Sequence, residues 1–348
     1  MDTLVIGAGM IVNDLLLPSL YHLERTGIIG KLTVCGTRPE SISNLKNNTE
    51  ISAAFPGQSF IGYPKKKNAS DDAKQLYKEL LAKMEPYQLV VIALPDDLHY
   101  KVIMDVLDYK QHIMCVKPLV LEYKQSLEIE KKAKENGCFI GIEYHKRFDR
   151  RALLAKKHYA NGEYGDFIIG EAKMIEPYYY RNSNFQSWFL AEKTDPFVYV
   201  GCHYVDLVSF ITGLKPVEVT VSGIKRKFPN GKTAFMWANG RVRFENDSIL
   251  SVTNGLGYPD NAAGSNEQGL EMFFEGKTDT GLLRHDDQFR GVEYSFTNHH
   301  SKKFQYVNPD FFRLVVWEGE GLKPVGYGYD SVEAIVKTAY MIEDKAMN

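Results

Sequence analysis

The sequence predicts a two-domain α/β protein, with an N-terminal doubly wound parallel sheet followed by a C-terminal α+β domain built on an open, mainly antiparallel sheet. Three observations carry this prediction. The chain has 348 residues, room for about two domains at roughly 150 residues each. Its first part alternates short apolar runs with longer amphipathic stretches, the pattern of strands joined by crossover helices. Beyond about Tyr144 the predicted strands follow one another with few helices between them, as in an antiparallel sheet. The change of pattern sets the predicted domains at 1–143 and 144–348.

In the first domain, Leu4 to Ile6, Leu32 to Cys35, Leu89 to Leu94, His112 to Val116 and Phe139 to Ile142 are the predicted strands. Asn13 to Thr26, Asp71 to Met84, His99 to Tyr109 and Glu122 to Asn136 read as helices, because apolar residues return every three or four positions. Gly137 follows the last of these as a C-cap, and Gly57 to Ser70, rich in Lys, Gly and Pro, reads as loop. The second domain opens with a helix from Arg150 to Asn161. Strands are predicted at Phe167 to Ile175, Val217 to Gly223, Thr233 to Phe244, Ser248 to Thr253 and Gly269 to Phe274, with helices at Val200 to Thr212 and Ser331 to Asp344.

Composition narrows the function. Hydrophobic residues at 44% and charged residues at 25% are those of a globular protein. Forty-two Lys and Arg against 44 Asp and Glu leave a net charge of −2, which provides no field for gathering nucleic acid or anionic membrane. Cys35, Cys115, Cys138 and Cys202 lie in apolar segments with no short-spaced pair, so they read as reduced, buried thiols rather than a zinc or disulfide framework. His285, His299 and His300 show no ligand spacing, and no metal is assigned. The first apolar run begins at Asp2 and is broken by Asn13 and Asp14, unlike a secretory leader. No run approaches the roughly 18 apolar residues of a membrane span, and a cytoplasmic location is expected.

The motifs point to a nucleotide cofactor. Leu4-Val5-Ile6-Gly7-Ala8-Gly9-Met10-Ile11-Val12 sets Gly-x-Gly between a strand and a helix, the context in which this pair binds a dinucleotide. Gly7 permits a tight turn, Gly9 admits backbone close to a pyrophosphate, and Met10 and Ile11 open the helix behind it. Val12 stands where a third glycine normally allows close helix packing. After the second strand, Cys35-Gly36-Thr37-Arg38 has no acid to hold the ribose hydroxyls of NAD, and none comes before Glu40. Arg38 can instead pair with a ribose phosphate and stack on adenine while Thr37 donates to that phosphate. NADP(H) is therefore favoured, with NAD(H) the alternative; in a purely structural reading Arg38 caps the next turn.

Pro95-Asp96-Asp97-Leu98-His99 and Cys115-Val116-Lys117-Pro118-Leu119 each follow an apolar strand, so both loops emerge at the carboxyl edge where ligands of such sheets bind. Pro95, His99, Lys117 and Pro118 are the expected cofactor contacts there, and the proline holds the Lys117 backbone extended. About eighty residues downstream, Pro196-Phe197-Val198-Tyr199-Val200-Gly201-Cys202-His203-Tyr204-Val205-Asp206 opens an apolar helix. His203 and Asp206, three apart, share one helix face.

Together these positions resemble the Gfo/Idh/MocA family of oxidoreductases, named for glucose-fructose oxidoreductase, inositol dehydrogenase and a rhizopine-catabolism protein. The resemblance spans most of the chain. It rests on Gly7 and Gly9, the loop Pro95 to His99, Lys117-Pro118, Arg147-Phe148 within Tyr144 to Phe148, and Gly201 to Asp206. Three positions depart from the family pattern: Val116 replaces an acid, Asp96 an asparagine, and Tyr199 an aspartate four residues before His203.

The resemblance implies reversible oxidation of a secondary alcohol on a sugar, polyol or sugar derivative by hydride transfer to a nicotinamide. In that scheme His203 takes the hydroxyl proton and Lys117 steadies the developing alkoxide, or Lys117 is itself the proton acceptor. Tyr199 either moves a proton or packs. Lys146, Arg147, Tyr180, Trp188 and Tyr199, with Tyr178, Tyr179 and Arg181 nearby in sequence, offer aromatic faces and donors to a hydroxylated ring, though aromatic residues equally fill cores. The family further implies homodimers or homotetramers. Two other readings stand beside this one: a dinucleotide-holding sensor without turnover, and a redox-neutral lyase or isomerase that keeps its cofactor.

Overall fold

The computed structural model describes residues 1–65, 75–262, 264, 266–277, 280–286, 293–295, 304–306 and 310–347. The chain forms two compact units, one comprising Met1–His145 with Phe311–Asn348, the other Lys146–Asp310.

The first unit begins with β1 (Thr3–Ile6), a wide π-helical turn over Val12–Leu16 that continues into α1 (Leu17–Arg25), and β2 (Leu32–Cys35). Then come α2 (Pro39–Lys46), α3 (Thr49–Ala54), β3 (Ile61–Tyr63), α4 (Leu76–Leu81) and β4 (Leu89–Ile92). The series ends with α5 (His99–Asp108), β5 (His112–Val116), α6 (Tyr123–Asn136) and β6 (Ile140–Glu143). All six strands pair in parallel, in the order β3-β2-β1-β4-β5-β6. Successive side chains of a strand point to opposite faces, and both faces are covered here. Val5, Val34, Val91 and Met114 join one core with residues of α1, while Leu4, Ile6, Val90, Ile92 and Ile113 join another with residues of α4, α5 and α6.

The strands predicted for this unit are present, and α6 ends at Gly137 in the left-handed conformation (φ 67°). Three elements differ from expectation. β3 falls inside the segment read as loop, because an edge strand of only three residues, Ile61-Gly62-Tyr63, shows no periodicity. α2 and α3 are too short to display a helical repeat, although Pro39 opens one and the Asn48 side chain caps the other. Residues 66–74, covering the end of that loop and the start of the helix expected at Asp71, lie outside the described residues.

The second unit contains α7 (Arg150–Ala160), β7 (Asp166–Pro177), α8 (Phe185–Trp188), a π-helical turn at Phe197–Gly201, α9 (Cys202–Thr212), β8 (Pro216–Lys227), β9 (Thr233–Phe244), β10 (Ile249–Tyr258), β11 (Glu267–Glu275) and β12 (Thr280–Asp286). β13 (Glu293–Ser295) and β14 (Phe304–Tyr306) form a separate hairpin. The main sheet runs β12-β11-β7-β10-β9-β8 and is antiparallel except where β10 lies parallel to β7. On one face Phe167, Val242, Phe244, Val252, Met272 and Phe274 pack with Tyr204, Leu207 and Val208 of α9 and Ala152 and Ala155 of α7. The Phe197 ring sits directly on Gly240, where a Cβ would come within 2.2 Å of it.

The chain then returns to the first unit through β15 (Arg313–Val316), β16 (Leu322–Val325) and α10 (Tyr327–Met347). The domain expectation placed this segment with the second sheet. Periodicity reveals the apolar face of α10 but not which sheet it covers; Val332, Ile335, Val336 and Ala339 lie in the core of β1, β2 and β4. Ile335 presses on Gly141 of β6, where any Cβ would meet it at 2.5 Å. His112 Nε2 and Glu343 Oε1 add a link at 2.8 Å.

Arg25 at the end of α1 fastens the β15–β16 hairpin. Its guanidinium lies 3.8 Å from the Trp317 ring centre and 4.9 Å from that of Phe55, and it donates to the carbonyl oxygens of Glu320 and Leu322. It also donates from Nε to His22 Nδ1 at 3.1 Å; burial and this neighbouring cation push the His22 pKa down to about 4. Replacing Arg25 with Ala should lower unfolding free energy by about 1–3 kcal/mol in denaturant titration, from the lost cation–π and carbonyl contacts together.

Candidate functional site

Strand register brings the nucleotide motifs to one edge of the first unit. Ile6 lies beside Cys35 and Ile92, Ile92 beside Cys115, and Val116 beside Glu143. The loops after β1, β2, β4, β5 and β6 therefore start at nearly one level, at the carboxyl ends of the strands. Gly7, Gly9, Thr37, Arg38, Pro95, Lys117 and Pro118 all lie along this edge.

Gly7 has φ 127°, a conformation closed to other residues, and a Cβ there would fall 2.1 Å from the Ala93 carbonyl oxygen. Gly9 differs: nothing lies within 4 Å of where its Cβ would be, so the turn presents open backbone. Met10 is exposed and Ile11 half-buried, whereas Val12 is fully buried in the core of the unit. Val12 fills the helix contact that a third glycine would leave narrow, at the start of the widened π turn.

Thr37 and Arg38 are exposed. Arg38 occupies the N-cap position of α2 in an extended conformation, but its side chain makes no cap hydrogen bond, so capping does not account for the guanidinium. An open Gly9 turn with an exposed hydroxyl and guanidinium at the next strand end would suit a dinucleotide, the turn to hold a pyrophosphate and Thr37 and Arg38 a ribose.

His99 departs from the expected cofactor contact. It is fully buried, with Nδ1 2.7 Å from the Pro118 carbonyl oxygen and Nε2 2.9 Å from that of Leu94. Both ring nitrogens are thus engaged within the protein, and His99 ties the two loops that carry Pro95 and Lys117.

Glu143 and His145 escaped the sequence reading. Glu143 ends β6 beside Val116 and is 2% exposed; its carboxylate lies 3.0 Å from His145 Nδ1. The His145 ring packs against Phe311 and Tyr327. An acid closing the strand next to Lys117 is the signal that would have marked the pair.

In the second unit, His203 lies in the first turn of α9 and is 2% exposed. Asp206, on the same helix, accepts two hydrogen bonds from Arg147, at 2.8 Å to Nε and 2.5 Å to Nη2. Burial raises the Asp206 pKa, and the Arg147 guanidinium opposes that rise. Lys146 is buried, donates to Gln268 Oε1 at 2.8 Å and lies 5.1 Å above the Tyr204 ring. Both basic residues assigned to substrate therefore have partners within the protein: Lys146 is buried against Gln268, and the partly exposed Arg147 supplies the counter-charge that the buried Asp206 carboxylate needs.

Three expected substrate residues come together around Phe185. Tyr180 stacks on it at 4.6 Å, Trp188 packs at 4.9 Å and Tyr199 meets it edge-on at 5.6 Å. Trp188 and Tyr199 also touch, at 5.5 Å. Burial, with Glu176 and Tyr199 nearby and a hydrogen bond to Tyr179, pushes the Tyr180 phenol far up, so it stays protonated. Tyr178 and Tyr179 are exposed beside this cluster, and Arg181 lies over the Tyr178 ring.

None of the four cysteines is in a disulfide; Cys35 and Cys115 are buried, Cys138 and Cys202 half-buried. No group of His, Cys, Asp or Glu among the described residues is arranged to hold a metal ion. His285 is buried near Asp149, with Nε2 3.6 Å from Oδ2, while His299 and His300 lie outside the described residues. No helix among those residues is long and apolar enough to cross a membrane.

A parallel sheet with a glycine turn at its carboxyl edge, together with a second unit built on an open mixed sheet, defines the architecture of a dinucleotide-binding oxidoreductase. A model described as an oxidoreductase family with an NAD-binding Rossmann fold matches residues 1–144, and that of the GFO/IDH/MocA C-terminal domain matches residues 152–276. The chain belongs to the Gfo/Idh/MocA family.

An uncharacterized oxidoreductase of Schizosaccharomyces pombe is 30% identical over 144 residues, covering 41% of this chain and 39% of that protein. Inositol 2-dehydrogenase 2 of Mycolicibacterium vanbaalenii is 27% identical over 205 residues, 56% of this chain and 55% of its own. The chain spans 38–39% of the length of the first curated relatives it matches. Among solved structures, myo-inositol 2-dehydrogenase from Lactobacillus plantarum superposes with a TM-score of 0.66 at 18% identity, over all of this chain and 89% of that one. At that identity the likeness is one of fold.

The two glycines separate stability from binding. Gly7→Ala should lower the melting temperature sharply, since Cβ would overlap the Ala93 carbonyl. Gly9→Ala should melt like the parent yet weaken dinucleotide binding by about tenfold or more in fluorescence titration, by crowding the pyrophosphate's approach.

Proposed function

We propose that this protein is an NAD(P)-dependent dehydrogenase acting on a secondary alcohol of a sugar, polyol or sugar derivative. The observation that carries the reading is the gathering of the open Gly9 turn, the exposed Arg38 and the half-buried Lys117 along one carboxyl edge. Membership of the family supports it. The residues present fit NADP(H) somewhat better than NAD(H), since a guanidinium rather than an acid follows β2.

A bound nicotinamide would supply the hydride acceptor. Pro95 and Pro118 shape the loops along the cofactor, with Met10 and Ile11 opening the helix behind the pyrophosphate. Lys117 donates a hydrogen bond to the substrate hydroxyl oxygen and stabilises negative charge developing there. His203 accepts the hydroxyl proton, a task suited to a side chain that ordinarily titrates near 6.5. Tyr180, Trp188 and Tyr199 offer ring faces and phenolic donors to the substrate's carbon skeleton and its other hydroxyls.

The domains of this scheme are a dinucleotide-binding part at 1–143 joined by the returning segment 311–348, and a substrate part from 146 to 310. A cytoplasmic location and the absence of nucleic-acid or membrane partners belong to the same reading.

Purified protein mixed with NADP or NAD and a panel of polyols and sugars should change nicotinamide absorbance. Lys117→Ala should reduce kcat by at least about a hundredfold, and full activity in that variant would remove the assignment. Arg38→Ala should weaken NADP binding and spare NAD; the reverse ranking would defeat the phosphate argument. Product formation without net absorbance change would instead select a redox-neutral lyase or isomerase.

A homo-oligomer is part of the proposal. On the face of the second sheet away from α7 and α9, Leu282, Phe273 and Ile169 lie side by side across β12, β11 and β7, each close to half exposed, and Ile249 continues the row on β10. An apolar row flanked by charges of both signs, Glu171, Glu271 and Arg284, suits a second copy of the same face. Light scattering should report an oligomer, and Phe273→Asp with Leu282→Asp should shift it to the single-chain mass without changing the circular dichroism spectrum.

A further inference from the structure

His99 opens α5, and both of its ring nitrogens face main-chain carbonyl oxygens, Pro118 at 2.7 Å and Leu94 at 2.9 Å. A carbonyl can only accept. A neutral imidazole has one N–H, so it would satisfy one carbonyl and turn a lone pair toward the other. Only the imidazolium donates to both. Cys115 Sγ from β5 lies 3.7 Å from Nδ1, and the buried Asp96 carboxylate, in the turn before α5, acts on the ring through its charge.

We propose that His99 is a positioning residue held as a buried imidazolium, which bolts the loop after β4 to the Lys117–Pro118 loop and thereby sets where Lys117 stands on the ligand edge. The carbonyl on each side gives the ring its two anchors, and the Asp96 carboxylate supplies the counter-charge that a buried cation requires. Burial alone would pull the His99 pKa down, but Cys115, Asp96 and the Pro118 carbonyl outweigh it and raise the value to about 9. A pKa raised in the folded protein means that the bolt is fully formed at and below neutral pH and is lost as pH rises through about 9. His99 thus acts on the cofactor edge through the two loops rather than by touching a ligand.

The inference concerns the edge assigned above to the dinucleotide, and its test has an arm that does not depend on that assignment. Ring-nitrogen NMR of isotope-labelled histidine should show both His99 nitrogens protonated at pH 7, with loss of one proton only above about pH 8; a single neutral tautomer at pH 7 would overturn the proposal. His99→Gln, whose amide carries its N–H donors on one side only and turns an acceptor oxygen to the other, should weaken dinucleotide binding by about tenfold. His99→Gly should bind as weakly and recover affinity when imidazole is added. Unchanged affinity in folded His99→Gln would also overturn the proposal, and if neither variant folds the NMR arm decides. Parent protein that binds no dinucleotide while showing the imidazolium would sink the cofactor assignment and leave the bolt standing.

Discussion

The carboxyl edge of the first unit depends on a contact of backbone against backbone. Gly7 donates to the Cys35 carbonyl at 2.8 Å while Ala93 donates to the Ile6 carbonyl at 2.9 Å, so β1, β2 and β4 converge at the single peptide unit that joins Ile6 to Gly7. That convergence leaves no room for a side chain at Gly7, and the positive φ turns the chain sharply away from the sheet. From this point the Gly9 turn, the Thr37-Arg38 strand end and the Pro95 loop are set at a common level. Burial of the sheet on both faces then makes the level hard to change, since sliding any strand by one residue would exchange the side chains packed into the two cores and undo the fit of each.

Within each unit several buried polar groups are held by partners. His99 spans two carbonyls, Glu143 holds His145, His112 reaches Glu343 and also accepts from the Phe139 backbone N–H, and Arg147 grips Asp206 in a fork. Burying such groups unpartnered costs more than a surface ion pair returns. The pairings consequently separate residues that build the edge from residues left to meet a ligand. Arg38 stands in the second class: it is exposed, and its side chain makes no bond to the helix that it precedes. Lys146 and Arg147, in the second unit, are committed to partners there.

The same distinction shows what was legible in the sequence. Strands β1, β2, β4, β5 and β6 and helices α5, α6, α7 and α9 were readable because each is a sustained apolar run or repeat, a property of neighbouring residues. The glycine turn, Arg38 and the Lys117-Pro118 loop were readable because strand-then-loop order alone puts them at carboxyl ends. β3, with three residues, and α3, with six, lack the length for any repeat to register.

Chain order by itself determined that a parallel sheet with a dinucleotide-type turn precedes a sheet of mainly antiparallel strands, since both follow from local periodicity and from where loops fall after strands. Only the tertiary structure decided that α10 covers the first sheet rather than the second, that His99 faces two carbonyls, and that Arg147 is committed to Asp206. Those outcomes rest on which surfaces and charges find each other across tens to hundreds of residues, as Ile335 does against Gly141 and Glu343 against His112. Complementarity of shape and charge at that separation leaves no periodic trace in the sequence.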